Sequence, residues 1–319
     1  MLAVEIGLIL LGFLILFKAG DMLVDNAAEI ARYFGMSELM IGLTIVAFGT
    51  SAPELMVNIN AAMSGINDFV FGNVFGSNII NILIGLGIIG VFKAMKVQLS
   101  TLKLEIPFLF VITVILSVML NDQYFFSAEE NILSRLDGII LIVLFLLFLV
   151  YSMRLPKAVL PDDFVKPDSI LKPSLLFILA AGLLWLGSDL SVTYSELVGK
   201  KLGVSEAVMG IFVLALGTSL PEIAVGFSAM KKQSSDLAMG NIVGSNIFNI
   251  LLVLGITAVL SPPTYSTAMM VDLYMVNLAV ILLFFFIFIP TRFVLGRFES
   301  SLMLIAYFAY GFGRLFGWL

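Results

Sequence analysis

The chain has 319 residues, 61% of them hydrophobic and 12% charged, with a mean hydropathy of +1.11. Soluble chains carry about 25% charged residues, so this one cannot coat its surface with charge. Lipid must solvate much of it, which excludes a cytosolic enzyme. The net charge of −5 leaves no basic face for nucleic acid, and the absence of cysteine and histidine removes disulfides, thiolate and imidazole chemistry and nearly all zinc sites.

Ten stretches reach the length of about 20 apolar residues that a bilayer-crossing helix needs. They lie near 3–31, 37–64, 69–91, 104–121, 136–153, 173–198, 204–230, 237–260, 270–290 and 299–317. Such runs far exceed the strands of a membrane barrel, which alternate over about ten residues. The expected class is an all-α polytopic membrane protein with ten transmembrane helices. The first stretch reads as a retained helix, too long for a signal peptide and without a basic leader or cleavage site. Its acids Asp21, Asp25 and Glu29 are expected to meet interfacial water. The second stretch carries GTSAPE (49–54) mid-span, and the third carries GNVFGSNIIN (72–81). After the fifth comes RLPKAVLPDDFVKPDSILK (154–172), a short, charged, proline-containing linker too small for a regulatory domain. The sixth repeats the acids with Asp189 and Glu196, the seventh carries GTSLPE (217–222), and the eighth carries GNIVGSNIFN (240–249).

These correspondences form one repeat at an offset of 168 residues. Positions 21–87 against 189–255 give 26 identities in 67 without an insertion. Each copy holds five spans, and five is odd, so the second copy enters the membrane with opposite polarity. This is the inverted-topology repeat of secondary transporters, whose substrate sites lie near the midplane between copies. The organisation is a first five-helix repeat at 1–153, a linker at 154–172 and an inverted second repeat at 173–319. One set of alternate loops holds twelve Lys and Arg and the other four, with Lys18 inside the first span. The positive-inside rule then places 154–172 in the cytoplasm and both termini on the extracytoplasmic side of the cell membrane.

Glu54 and Glu222 sit mid-span, where an ionised carboxylate is costly and faces a cavity or a partner. Pro53 and Pro221 deny a hydrogen bond to the carbonyls of Gly49 and Gly217, which predicts a break or kink with free main-chain oxygens. The hydroxyls of Thr50, Ser51, Thr218 and Ser219 lie one turn from the carboxylates. Carboxylate, carbonyl and hydroxyl oxygens are the ligands of a hard cation. Ser77 and Asn81 are four apart on one helix face, as are Ser245 and Asn249. Glu54, Asn81, Glu222 and Asn249 are expected to converge, with Ser51, Ser77, Ser219 and Ser245 around them. A lone serine or asparagine in a membrane helix is often only interhelical glue. Coincidence of proline, hydroxyls and glutamate in two copies argues for function.

The paired GTS-x-PE and GS-N-I-x-N blocks resemble the α-repeats of the Ca2+/cation antiporter superfamily of Na+/Ca2+ and H+/Ca2+ exchangers, in its prokaryotic form. The resemblance covers both repeats. It implies ten helices in two inverted halves, with Ca2+ held between the second, third, seventh and eighth. Carried over by match, the implied ligands are the side chains of Thr50, Ser51, Glu54, Ser77, Asn81, Thr218, Ser219, Glu222, Ser245 and Asn249, with main-chain oxygens of Ala47 and Ala215. It also implies that the first and sixth helices move together as a gate. Many Na+-coupled members have an aspartate at one of the positions filled here by Asn81 and Asn249. Proton-coupled members usually have amides there, but carry GN-x-x-E in place of GTS-x-PE.

Two carboxylates balance one Ca2+ or two protons, and a bare pair is penalised in low dielectric. Three Na+ would leave an excess positive charge. This bookkeeping favours H+ as the counter-ion, while the GTS-x-PE pattern favours Na+. Ca2+ suits a flexible cage of many oxygens better than Mg2+, and Mn2+ stays open. The reading is therefore a secondary active antiporter exchanging Ca2+ for H+ or Na+ by alternating access. Its partners are these cations and the lipid bilayer, and it calls for no cofactor or protein partner. A channel would want a continuous polar path, and an intramembrane enzyme lacks the histidine, cysteine or serine–lysine arrangement it would need.

Overall fold

In the computed structural model, the described residues are 2–125, 129–155, 169–202, 215–288 and 293–318, without the side chains of Glu196, Ala215, Leu216 and Thr218. Most of the linker and the first part of the second repeat block thus lie outside the described residues. The long helices are α1 (Leu2–Phe34), α2 (Glu38–Met63), α3 (Asn67–Phe92), α4 (Thr101–Met119), α5 (Arg135–Ser152), α6 (Leu171–Lys201), α7 (Ala215–Lys231), α8 (Ser235–Leu260), α9 (Thr267–Phe288) and α10 (Arg297–Leu315). Eight are long and apolar enough to cross a membrane, namely all but α7 and α10, and α7 is described over 17 residues only. The chain is an all-helical, multi-pass membrane protein.

Local chemistry sets several boundaries. Ser37 caps α2 by accepting from the Met40 N–H at 3.2 Å. Ser134 and Asp137 form a reciprocal capping box at the start of α5. Among the described residues, four helices contain π-helical turns, at Gly42–Val46 in α2, Ile80–Leu86 in α3, Thr101–Glu105 at the start of α4 and Asn249–Val253 in α8. Of the break or kink expected at the two prolines, a break is not seen. Ala47–Met63 stays helical through Pro53, and α7 through Pro221. In α2 the irregularity falls just upstream, in the wide turn at Gly42–Val46, while the equivalent stretch before α7 lies outside the described residues.

The core sits on α3 and α8, where 83% of the most apolar window is inside the protein, against 22% for α1. α8 meets α2 through glycine. A Cβ on Gly42 would lie 2.9 Å from the Leu237 carbonyl oxygen, and one on Gly240 2.9 Å from that of Leu39. α1 and α6 lie antiparallel. Glu5 near the start of α1 pairs with Lys201 at the end of α6, and a Cβ on Gly12 would fall 2.8 Å from the Gly187 oxygen.

Contacts between helix ends sort the connections into two groups. Met95–Lys96 after α3 pairs antiparallel with Val294–Leu295 before α10, in the register Met95↔Leu295 and Lys96↔Val294. Gln98 donates to Asp236 at 2.5 Å, Ser234 to Glu38 at 2.8 Å, and Lys232 pairs with Asp25 at 2.6 Å. All of these join the α1–α2, α3–α4, α7–α8 and α9–α10 connections. Elsewhere Ile132 bridges to Thr264, Asn67 donates to Thr264 at 2.7 Å, and Ser261 donates to the Ala62 carbonyl at 3.1 Å. These join α2–α3, α4–α5 and α8–α9.

Candidate cation site

Four helices bring the two repeat motifs together. α2 presents Thr50, Ser51 and Glu54, and α7 presents Ser219 and Glu222. α3 presents Ser77 and Asn81, and α8 presents Ser245 and Asn249. All nine are buried, the glutamates to 1% and 0% exposure. The spacing of three and four residues within each motif puts these side chains on inward helix faces.

Contacts cross between the copies. Ser51 donates to Glu222 Oε1 at 3.0 Å. Thr50 Oγ1 lies 3.3 Å from Ser245 Oγ and donates at 3.3 Å to Asn241 Oδ1, whose own Nδ2 donates to the Glu222 main-chain carbonyl at 3.2 Å. Asn249 Nδ2 donates to Asn78 Oδ1 at 3.1 Å, and Asn78 Nδ2 to the Asn246 carbonyl at 3.4 Å. The Ala47 carbonyl accepts from Thr50 Oγ1 at 3.2 Å. The Gly217 carbonyl, denied a partner by Pro221, accepts from Ser188 of α6. Ala215 begins α7, with its side chain, like that of Thr218, outside the described residues.

Buried polar atoms normally find partners. Here both carboxylate oxygens of Glu54, Glu222 Oε2, Ser219 Oγ, Asn249 Oδ1 and both amide atoms of Asn81 have none among the described residues. The ion pairs among the described residues involve neither Glu54 nor Glu222. Nor do the described residues hold a group of three or more acids that would take a metal. Two negative charges amid neutral hydroxyl, amide and carbonyl oxygens match a hard divalent cation, and equally two monovalent ones.

The flanking acids sit apart from this cluster. Asp21 pairs with Lys231 at 3.5 Å and the exposed Asp25 with Lys232, while Asp189 is exposed and the Glu196 side chain lies outside the described residues. Sequence reasoning passed over Asn78, Asn241 and Asn246, which lie within the quoted blocks. The signal was their repetition at 78/246 and 73/241, overshadowed by the choice of the Ser77–Asn81 face.

The sodium/calcium exchanger protein family matches residues 4–154 and 172–316, leaving out little more than the linker. The chain belongs to this exchanger family. Its relatives include inner membrane protein YrbG of Escherichia coli (strain K12), 34% identical over 80% of this chain and 79% of that one. Sodium/calcium exchanger MaX1 of Methanosarcina acetivorans is 29% identical over 97% and 98% of the two chains. Among solved structures, the sodium-calcium exchanger NCX_Mj matches with a TM-score of 0.80 and 27% identity, over 97% of this chain and 98% of that one. Exchangers are transporters, so the enzyme reading falls away in favour of cation movement.

Proposed function

We propose that the protein is a secondary active antiporter that carries Ca2+ across the cell membrane in exchange for a monovalent cation by alternating access. One observation carries this reading: two buried carboxylates with no basic neighbour among the described residues sit with buried hydroxyl and amide oxygens, and both Glu54 oxygens, Glu222 Oε2, Ser219 Oγ, Asn81 Oδ1 and Asn249 Oδ1 have no partner among those residues. Such a site is penalised when empty and satisfied by cations. The proposed ligands are Glu54 and Glu222, the side chains of Thr50, Ser51, Ser77, Asn81, Thr218, Ser219, Ser245 and Asn249, and the main-chain oxygens of Ala47 and Ala215.

The proposed architecture is ten transmembrane helices in two inverted five-helix repeats, 1–153 and 173–319, joined by 154–172. Sorting of the helix-end contacts into two groups supports it, because each group joins only connections that a ten-span chain puts on the same side. The loop count of Lys and Arg supports extracytoplasmic termini and a cytoplasmic linker.

The site's own charge favours H+ as counter-ion, since two protons replace one Ca2+ without a net change. A second reading, Na+, draws on full-length similarity to MaX1, named as a sodium/calcium exchanger. Uptake of radioactive Ca2+ into proteoliposomes under an outward Na+ gradient, and separately under a pH gradient, decides between them. Glu54→Gln and Glu222→Gln are each expected to abolish uptake while the protein still inserts and purifies. Full uptake in either variant rejects the site.

A further inference from the structure

An asparagine that binds a cation must present its oxygen, because the hydrogens of its NH2 group repel the ion. Oxygen and NH2 are nearly equal in size, and a half-turn about the last side-chain bond exchanges them. Packing alone therefore does not decide which of the two faces a site, and hydrogen bonding does. At Asn249 the deciding contact comes from the other copy of the repeat: its Nδ2 donates to Asn78 Oδ1 at 3.1 Å. The NH2 group is drawn towards α3, and Oδ1, on the opposite side of the same planar group, is turned away from Asn78.

Asn78 is itself oriented by a group that cannot be reversed. Its Nδ2 donates to the main-chain carbonyl of Asn246 at 3.4 Å, and a carbonyl only accepts. The direction of both bonds is thus set from one end, from the Asn246 carbonyl through the Asn78 amide to the Asn249 amide. Turning Asn78 over would set its oxygen against the Asn246 carbonyl and its NH2 against that of Asn249. Asn78, Asn246 and Asn249 are all fully buried, so a bond lost here carries the full cost of an unsatisfied polar group. Asn246 stands at the position equivalent to Asn78, but its own Nδ2 donates within α8, to the Ile242 carbonyl at 2.7 Å.

We infer that Asn78 is a positioning residue that fixes the polarity of the Asn249 amide, so that this position offers oxygen to the transported cation. This rests on the transport reading above and adds a residue outside the proposed ligand set that prepares one of its ligands. Asn78 acts through Asn249 and not on the ion. A ligand held in the right orientation before the ion arrives binds it with less reorganisation. The same two bonds also join α3 to α8, and the test separates that packing duty from the orienting one.

The experiment is a Ca2+ titration of the thermal midpoint of the purified full-length protein in detergent, which reads an apparent Kd from the ligand-induced rise. It compares wild type, Asn78→Leu, Asn78→Ala, Asn249→Ala and the two double variants. Leucine keeps the branched shape without a polar atom, and alanine removes the amide without adding bulk. Each single Asn78 variant is expected to weaken Ca2+ binding about tenfold, the lower end of what losing an orienting partner costs a metal ligand. In the Asn249→Ala background neither is expected to weaken it further, because the amide to be oriented is gone. The midpoint without Ca2+ reads the α3–α8 packing by itself and is expected to fall in both backgrounds. Unchanged Ca2+ affinity in Asn78→Leu and Asn78→Ala would make Asn78 only a fastening between helices and overturns the inference. So does an equal loss of affinity with and without the Asn249 amide. Absence of any Ca2+-dependent rise in wild type overturns the Ca2+ reading of the site itself, and this inference with it.

Discussion

Asn249 begins a π-helical turn in α8, with its Nδ2 bonded to Asn78 and its Oδ1 unpartnered. Replacing the amide with a carboxylate turns the Nδ2 that donates to Asn78 into an oxygen and gives the site three negative charges, which three Na+ balance and one Ca2+ does not. Asn249→Asp is therefore expected to strengthen competition by Na+ against Ca2+ uptake; an unchanged Na+ dependence would show that the amides do not set counter-ion choice. The glutamates, serines and asparagines of the cluster were legible in the sequence because a carboxylate in oil needs a reason and the reason appeared twice. The Asn73–Asn58 contact was not legible, because Asn58 lies outside both quoted blocks and only the packing of α2 against α3 brings the two amides together.

Helix spans follow from apolar length, and the described helices fall close to where hydropathy puts them. What length cannot convey is how a helix deviates inside its span. Pro53 suggested a break at its own position, but α2 adjusts in the preceding wide turn, and α3 and α8 carry similar turns at Asn81 and Asn249. π-turns of this kind cluster at functional positions. Glycine is the second device at this scale. Around Gly240 the nearest atoms to an added Cβ are all backbone, at 2.9 to 3.2 Å. Gly240→Ala must push α2 from α8 and is expected to destabilise the protein by about 1–3 kcal/mol, seen as a lowered thermal midpoint in detergent. Gly182→Ala, with nothing within 4 Å of its Cβ, serves as the neutral control. Equal midpoints would show that the α2–α8 contact is not tight.

Across the whole molecule, α1 has two attachments. Towards its start it is paired with α6 through Glu5–Lys201 and the Gly12–Gly187 crossing. Towards its end it is fastened to α7, where Lys231 and Lys232 pair with Asp21 and Asp25, and Lys232 also donates to the Asp21 carbonyl at 2.7 Å. These ion pairs are individually weak, about 0–1 kcal/mol each, and they lie beyond a packed approach of the same two helices, where a Cβ on Gly20 would fall 3.1 Å from the Ala224 carbonyl oxygen. The chain has no cysteine, so an introduced thiol pair is the sole target of a bifunctional reagent. Linking Glu5→Cys to Lys201→Cys is expected to leave Ca2+ exchange intact, and linking Asp25→Cys to Lys232→Cys to stop it. The opposite pattern would mean that α1 moves against α6 and stays with α7. Should the links give the expected pattern, α1 locked to α6 would act as one sliding bolt serving two doors. Drawing it back from one doorway would drive it across the other, and an uncoupled leak would then be barred by geometry, with no timing between separate gates.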